Sequence, residues 1–410
     1  MVSIFSLAKS TCKIHGKVIS CHRFFTASFH SLSPVTGIPN TAVLLSASKV
    51  MASESTDKKV LVTGASGYIA AHVVQQLLEQ GFHVRGTVRS LTNELKVAPL
   101  KKLGELADNR LELVEADLLN QECWKDAVKG CTYVIHTASP FPMAMPRDEK
   151  EVIKPAVEGT LNVLNACVGN VKRVVLTSSV AAIGEYHCPD KKLSEADWTD
   201  IERPGVVAYV KSKKLSEKSA WEFLESLDDD AKFEMAVINP AFVLGPVLTQ
   251  QRGTSIDFLR RIMSGRDPVV PRVCFSIADV RDVAKAHIIA MTVPEAAGNR
   301  HIITGDRAWF HEISAILKEE FGPQGYSPST RQMPRMLLTI VSWFDGSLRS
   351  IKDMWDVVTP YDNTRMREVL KIEPRPLKDS IIEMAYSLIE NGNIPKTRAY
   401  KGRPQKNGSS

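Results

Sequence analysis

Tyr209-Val-Lys-Ser-Lys213 sets a phenol and an ammonium four residues apart. On a helix that spacing puts both on one face, one turn apart. Tyrosine is a poor acid–base group at neutral pH, because its ordinary pKa is about 10. A neighbouring positive charge stabilises the phenolate and brings proton transfer within reach. Thirty residues upstream, Thr177-Ser-Ser179 closes a short apolar run. A serine hydroxyl at a strand end can hold a substrate oxygen while the tyrosine exchanges its proton. Either feature alone reads as ordinary polar residues. Together they read as chemistry.

A second constellation would bind rather than react. Val60-Leu-Val-Thr-Gly-Ala-Ser-Gly-Tyr-Ile-Ala70 places Gly64, Gly67 and Ala70 at the spacing G-x-x-G-x-x-A. A tight strand-to-helix turn needs glycine, and a pyrophosphate can approach the backbone only where no Cβ stands in the way. The helix N-terminus then offers free N–H groups and its positive dipole end. Gly64, Ser66, Gly67, Tyr68 and Ile69 are therefore expected against a dinucleotide. Arg89 stands nineteen residues after Ala70, with Lys96 a little further on. NAD-binding chains usually carry a carboxylate near this place, whereas a guanidinium suits the 2′-phosphate of NADP. The sign of the charge favours NADP(H) over NAD(H), although a solvated basic turn would read the same. Asp117 and Leu118, after the third strand, lie where a carboxylate could meet the adenine amino group.

Positioning these groups calls for strands that alternate with helices. Val60–Thr63, Phe82–Val88, Leu111–Ala116, Tyr133–Thr137, Arg173–Thr177 and Phe233–Asn239 read as six strands with helices between them. Parallel strands need a crossover, which is normally helical. The fold class is therefore α/β, a Rossmann-type doubly wound parallel sheet with a smaller C-terminal substrate-binding lobe. In that arrangement residues 58–240 form the nucleotide domain and 241–390 the lobe, with segments returning to the sheet. The lobe has strand and helix pieces at Val273–Ile277, Val280–Met291 and His301–Thr304, and helices near 310–321 and 376–390.

The chain has 410 residues, 52 Lys+Arg against 46 Asp+Glu, and a formal charge of +6. Residues 1–53 and 391–410 each hold five basic residues and no acid, so the body between them carries −4. That argues against a nucleic-acid face. The first 50 residues suit either a mitochondrial transit peptide or a disordered extension before Met51, and the last 20 a solvated basic tail. The expected compartment is the cytoplasm, or the mitochondrion if the leader is a transit peptide. Seven cysteines without C-x-x-C spacing suggest packed thiols in a reducing compartment and no metal site. The longest apolar stretch, Met336–Phe344, falls short of the roughly 20 residues a membrane span needs.

These blocks together resemble the extended short-chain dehydrogenase/reductases, and within them the dihydroflavonol-reductase-like carbonyl reductases. That group includes cinnamoyl-CoA reductases and yeast methylglyoxal-type ketoreductases. The resemblance runs from about residue 58 to 390. Besides the motifs above it rests on His136-Thr-Ala-Ser-Pro-Phe141, Val237-Ile-Asn-Pro240 and Asp279-Val-Arg-Asp-Val-Ala-Lys-Ala-His287. It implies that Ser179 is the catalytic serine and that Tyr209 and Lys213 are the acid–base pair. It further implies that Arg89 and Lys96 line the 2′-phosphate pocket, that Ala138 lies against the cofactor, and that Pro240 and Ser255 contact it. One departure concerns Asn93, where those relatives carry a lysine.

The reaction so implied is NADPH-dependent reduction of a small hydrophobic or aromatic aldehyde or ketone. Phe141, Pro142, Met143, Met145, Tyr186 and residues 242–258 would line the substrate pocket. The same fold and residues also serve hydroxysteroid dehydrogenases and sugar-nucleotide epimerases. A non-catalytic NADP-binding sensor is the alternative of another kind. The partner expected is a small molecule, with no nucleic acid or membrane, for a monomer or a homodimer paired through helices near 150–169 and 209–226.

Overall fold

A computed structural model describes residues 58–139, 148–184, 191–250, 253–341 and 354–404, apart from the side chains of 339–341. The first 53 residues, and Phe141, Pro142, Met143, Met145 and Tyr186 of the expected substrate pocket, lie outside the described residues.

Seven strands form one parallel sheet: β1 (Lys59–Thr63), β2 (His83–Val88), β3 (Leu111–Glu115), β4 (Tyr133–His136), β5 (Arg173–Thr177), β6 (Glu234–Pro240) and β9 (Arg300–Ile303). Their order is β3-β2-β1-β4-β5-β6-β9, and every neighbouring pair is parallel. The order reverses direction between β1 and β4, which opens a crevice at the carboxyl ends of those strands. Six of the strands match the sequence reading to within a residue or two. The seventh, β9, joins the sheet beside β6 from further along the chain.

Alternation along each strand sorts side chains to two faces. Val60 and Val62 of β1, Val175 of β5, and Ala236 and Ile238 of β6 enter one core. Helices α1 (Tyr68–Glu79), α2 (Glu94–Glu105) and α7 (Val280–Thr292) cover that face. Leu61, Val174, Leu176, Met235 and Val237 enter the other core, under α3 (Glu122–Val128), α4 (Lys150–Cys167) and α5 (Ala208–Ser226). Burial on both faces is why these strands are almost continuously apolar. Truncating the fully buried Leu61 to Ala would cost about 2–5 kcal/mol.

A second sheet holds β7 (Phe242–Leu244), β8 (Cys274–Asp279) and β10 (Arg307–Trp309) in the order β10-β8-β7. β7 and β10 are three residues each, too short for a periodic signal in sequence. Helices α6 (Thr254–Met263), α8 (Phe310–Phe321) and α11 (Leu377–Glu390) pack with this sheet around Leu259, Leu317, Phe321 and Met384. Two short helices, α9 (Arg335–Val341) and α10 (Thr364–Glu368), lie between α8 and α11. The segment after α11 is not a wholly solvated tail. Ile394 is buried in the same cluster as Leu317 and Met384, and Tyr326 donates to the carbonyl of Pro395 at 2.9 Å.

Candidate active site

A cleft of about 1880 Å³ runs across the carboxyl ends of the strands. At one end lies the glycine turn. Gly64 has a φ of +63°, and a Cβ there would stand 3.1 Å from Ala138 Cβ. A Cβ on Gly67 would come as close to the Gly64 carbonyl. Gly64 N donates to Thr87 Oγ1 at 2.9 Å and Gly67 N to the Gly64 carbonyl at 2.8 Å, which fixes the turn. Helix α1 starts immediately afterwards, without a side-chain cap over its first N–H groups. Such a turn could hold an anion.

Of the residues expected against the cofactor, Gly64, Ser66, Gly67, Tyr68, Ile69, Arg89, Lys96, Leu118, Ala138, Tyr209 and Ser255 line this cleft. Arg89 and Lys96 are exposed, and their side chains have no hydrogen-bond or ion-pair partner among the described residues. Asn93 and Ser90 lie beside them in the lining. Unfilled cations and a Cβ-free turn at one end of a long cleft fit a phosphorylated dinucleotide. Asp117 and Pro240 do not line the cleft. The Asp117 carboxylate accepts from Leu119 N at 2.8 Å, closing its own turn, and Pro240 is buried at the end of β6.

Ser179 and Tyr209 both line the cleft. Ser179 follows β5 and caps a single helical turn, its Oγ accepting from Ala181 N at 3.1 Å. With that lone pair engaged, the hydroxyl keeps its proton to donate. Tyr209 and Lys213 project from the first two turns of α5, with Lys213 Nζ 5.9 Å from the tyrosine ring centre. Lys213 lies behind the cleft, in a small polar pocket, and donates to Ser139 Oγ at 3.2 Å. Burial pulls its ammonium down to about 8, and the charge of Glu217 opposes that fall.

Several contributors escaped the sequence reading. Thr63 Oγ1 accepts from Thr137 N at 3.1 Å and Ala138 N at 3.0 Å, so its own proton goes to His136 Nδ1 at 2.8 Å. That holds the chain after β4 against the glycine turn. Burial and the nearby Lys213 charge push His136 down to about 3, so the ring is neutral. Glu217, Asn239 and Arg300 form a buried polar cluster behind Lys213. Glu217 continues the Tyr209, Lys213 spacing by one more turn, a signal that was visible. Arg300 comes from β9 and carried none.

Part of the cleft lining is apolar. Phe242 stacks on Phe275 with ring centres 4.9 Å apart, and Val243, Met354 and Val357 complete the wall. From the expected 242–258 stretch, Phe242, Val243, Gln250 and 253–256 line it. Residues 274–276, Met354, Val357, Thr359, Tyr361 and 392–393 reach it from elsewhere in the chain.

The profile of the NAD dependent epimerase/dehydratase family matches residues 60–305. The chain belongs to that family. Cinnamoyl-CoA reductase CAD2 of Medicago truncatula is 40% identical to it over 276 residues, which is 66% of this chain and 82% of that protein. Tetraketide alpha-pyrone reductase 1 of Arabidopsis thaliana is 37% identical over 270 residues, or 64% and 81%. Among solved structures, yeast methylglyoxal/isovaleraldehyde reductase Gre2 complexed with NADPH superposes with a TM-score of 0.67 at 29% identity. That superposition covers 82% of this chain and 99% of Gre2. This member of the epimerase/dehydratase family is therefore an oxidoreductase on the doubly wound fold that its strand and glycine pattern predicted. Among the described residues, no helix is long and apolar enough to cross a membrane.

Proposed function

We propose that this chain reduces an aldehyde or ketone to an alcohol with NADPH. The observation that carries this reading is one cleft lined by the glycine turn, by two unpaired cations, and by Ser179 and Tyr209. Gly64, Gly67 and the start of α1 would hold the pyrophosphate, and Arg89 with Lys96 the 2′-phosphate. Lys96, in the first turn of α2, supplies the second cation that Asn93 does not. Bound there, the dinucleotide supplies a hydride to the carbonyl carbon.

Side chains do the rest. Ser179 donates its free proton to the carbonyl oxygen and fixes the face presented. Tyr209 transfers its phenolic proton to that oxygen as negative charge develops there. Lys213 keeps the phenol acidic and would hold the nicotinamide ribose. The Phe242–Phe275 stack and the Val243, Met354 and Val357 wall favour a hydrophobic or aromatic carbonyl. Relatives named for cinnamoyl-CoA and tetraketide pyrone substrates agree with such a pocket. The working unit is a monomer, or a homodimer paired through α4 and α5.

The test is consumption of NADPH and NADH with aliphatic, aromatic and steroid carbonyls, beside Tyr209→Phe. Aromatic or bulky apolar carbonyls are expected to turn over with NADPH, and Tyr209→Phe to lower kcat by about 10²–10⁴-fold. Undiminished turnover in Tyr209→Phe would sink the mechanism. Tight NADPH binding without turnover of any carbonyl would make the protein a sensor.

A further inference from the structure

Glu217 is fully buried on α5, one turn beyond Lys213, and lines the same small pocket. Each of its oxygens has a separate task. Oε1 accepts from Arg300 Nε at 2.5 Å, and Oε2 accepts from Asn239 Nδ2 at 2.8 Å. The same Asn239 Nδ2 donates to the main-chain carbonyl of Ser179 at 3.2 Å. Both neighbours of that amide are acceptors, so its orientation is settled by chemistry. Arg300 is itself clamped. It donates to the carbonyls of Glu195 at 2.9 Å and Asp197 at 2.6 Å, and its guanidinium lies 3.8 Å from the centre of the Trp198 ring.

A buried ion pair costs more desolvation than a hydrophobic pair of equal volume, so stability alone is a weak reason to have one. This one touches β9, β6, the end of β5 and α5, and two of these carry Ser179 and Lys213. We propose that Glu217 is a positioning residue, setting the main chain of Ser179 through Asn239 and sustaining the charge of Lys213 from one turn away, with Arg300 fixing the carboxylate. The inference rests on the assignment of Ser179 and Lys213 above. It explains why an asparagine ends the apolar run of β6.

The charged and titratable groups around Lys213 are few. Tyr209 and Glu217 share its helix, His136 of β4 is neutral, and Arg300 stands beyond Glu217. Removing the Glu217 charge therefore lets the Lys213 ammonium lose its proton at lower pH.

The experiment compares wild type, Glu217→Gln, Asn239→Ala and the charge-neutral pair Glu217→Gln/Arg300→Gln. Readouts are kcat and KM across pH, thermal unfolding, and NADPH binding by nucleotide fluorescence. Glu217→Gln is expected to move the alkaline limb of kcat to lower pH by about one unit, with KM for the carbonyl little changed. Asn239→Ala, which leaves the Glu217–Arg300 pair intact, should lower kcat about tenfold or more without moving that limb. If Glu217→Gln alone does not fold because Arg300 is left unpaired, the double variant supplies the pH readout, with a shift in the same direction. Folded, NADPH-binding variants whose kcat and alkaline limb match wild type would overturn the proposal. Tyr209→Phe run alongside separates the two levels. If that variant stays active, the assignment of the catalytic group fails. If it is inactive while the Glu217 and Asn239 variants are normal, only the positioning role fails.

Discussion

The phenol of Tyr68 donates to the carbonyl oxygen of Gly245 at 2.6 Å, tying the first residue of α1 to the loop after β7. His72, one turn along, bonds the next carbonyl, that of Pro246, at 2.8 Å. The helix that follows the glycine turn is thus pinned to the loop after β7. Tyr68 lines the cleft, but its hydroxyl is committed to the protein. Tyr68→Phe leaves a buried acceptor unpaired and should cost about 1–3 kcal/mol. Thermal unfolding should show that loss, with only a small change in the NADPH dissociation constant. An unaltered melting temperature would show that the hydroxyl contributes nothing.

Gly64→Ala combines two penalties. A side chain is placed at a φ of +63°, and its Cβ stands 3.1 Å from Ala138 Cβ. The left-handed conformation alone costs about 1–2 kcal/mol. Gly298→Ala is the control, since its φ is +71° but nothing lies within 4 Å of the added Cβ. Both variants should melt earlier. Only Gly64→Ala should weaken NADPH binding, by tenfold or more, and equal affinities in a fluorescence titration would contradict an anion site at that turn.

Arg89→Gln removes a cation that has no protein partner among the described residues. Charge-assisted hydrogen bonds contribute about 1.5–3 kcal/mol, so NADPH affinity should fall by about 10- to 100-fold while NADH affinity is unchanged. Lys96→Gln should act in the same direction and more weakly. Parallel losses for both nucleotides would remove the basis for discriminating the 2′-phosphate.

Acid should destabilise the fold before carboxylates titrate. Burial lowers His72, His287 and His301 to about 4, and burial with the Lys213 charge lowers His136 to about 3. Their unfolded values are about 6.5, so between pH 6.5 and about 4 the unfolded chain binds more protons. The stability these neutral rings contribute is complete above pH 6.5 and is lost progressively as pH falls from there to the folded values. At pH 5 the loss is roughly 1–2 kcal/mol per ring. Denaturant midpoints measured from pH 7.5 to 5 should fall steadily, and a flat profile would argue against buried neutral histidines.

What could be read in the chain beforehand follows from locality. β1, β4, β5 and most of β6 were legible because strands buried on both faces must be largely apolar, and β3, at the edge of the sheet, because Leu111 and Leu113 alternate with Glu112. The glycine turn was legible because backbone approach to a phosphate constrains each residue type in one short run. Tyr209 and Lys213 were legible because a helix converts spacing into a shared face. β7 and β10 were not, since three residues carry no period. The burial of Ile394 was hidden by the basic residues around it, which keep their charges in water while the intervening apolar group packs inward.

Sequence alone therefore determined the fold class, the glycine turn, the sign of charge beside it and the helix that carries Tyr209 and Lys213. Each is written within about a dozen neighbouring residues. Tertiary structure decided how these pieces are held. It spent the Tyr68 hydroxyl on Gly245 and closed the Asp117 carboxylate on its own turn. It also brought Arg300 from β9 to Glu217, 83 residues away along the chain. No local pattern encodes such a pairing. It arises because a buried carboxylate must find a partner, and the order in which the strands assemble selects which cation arrives.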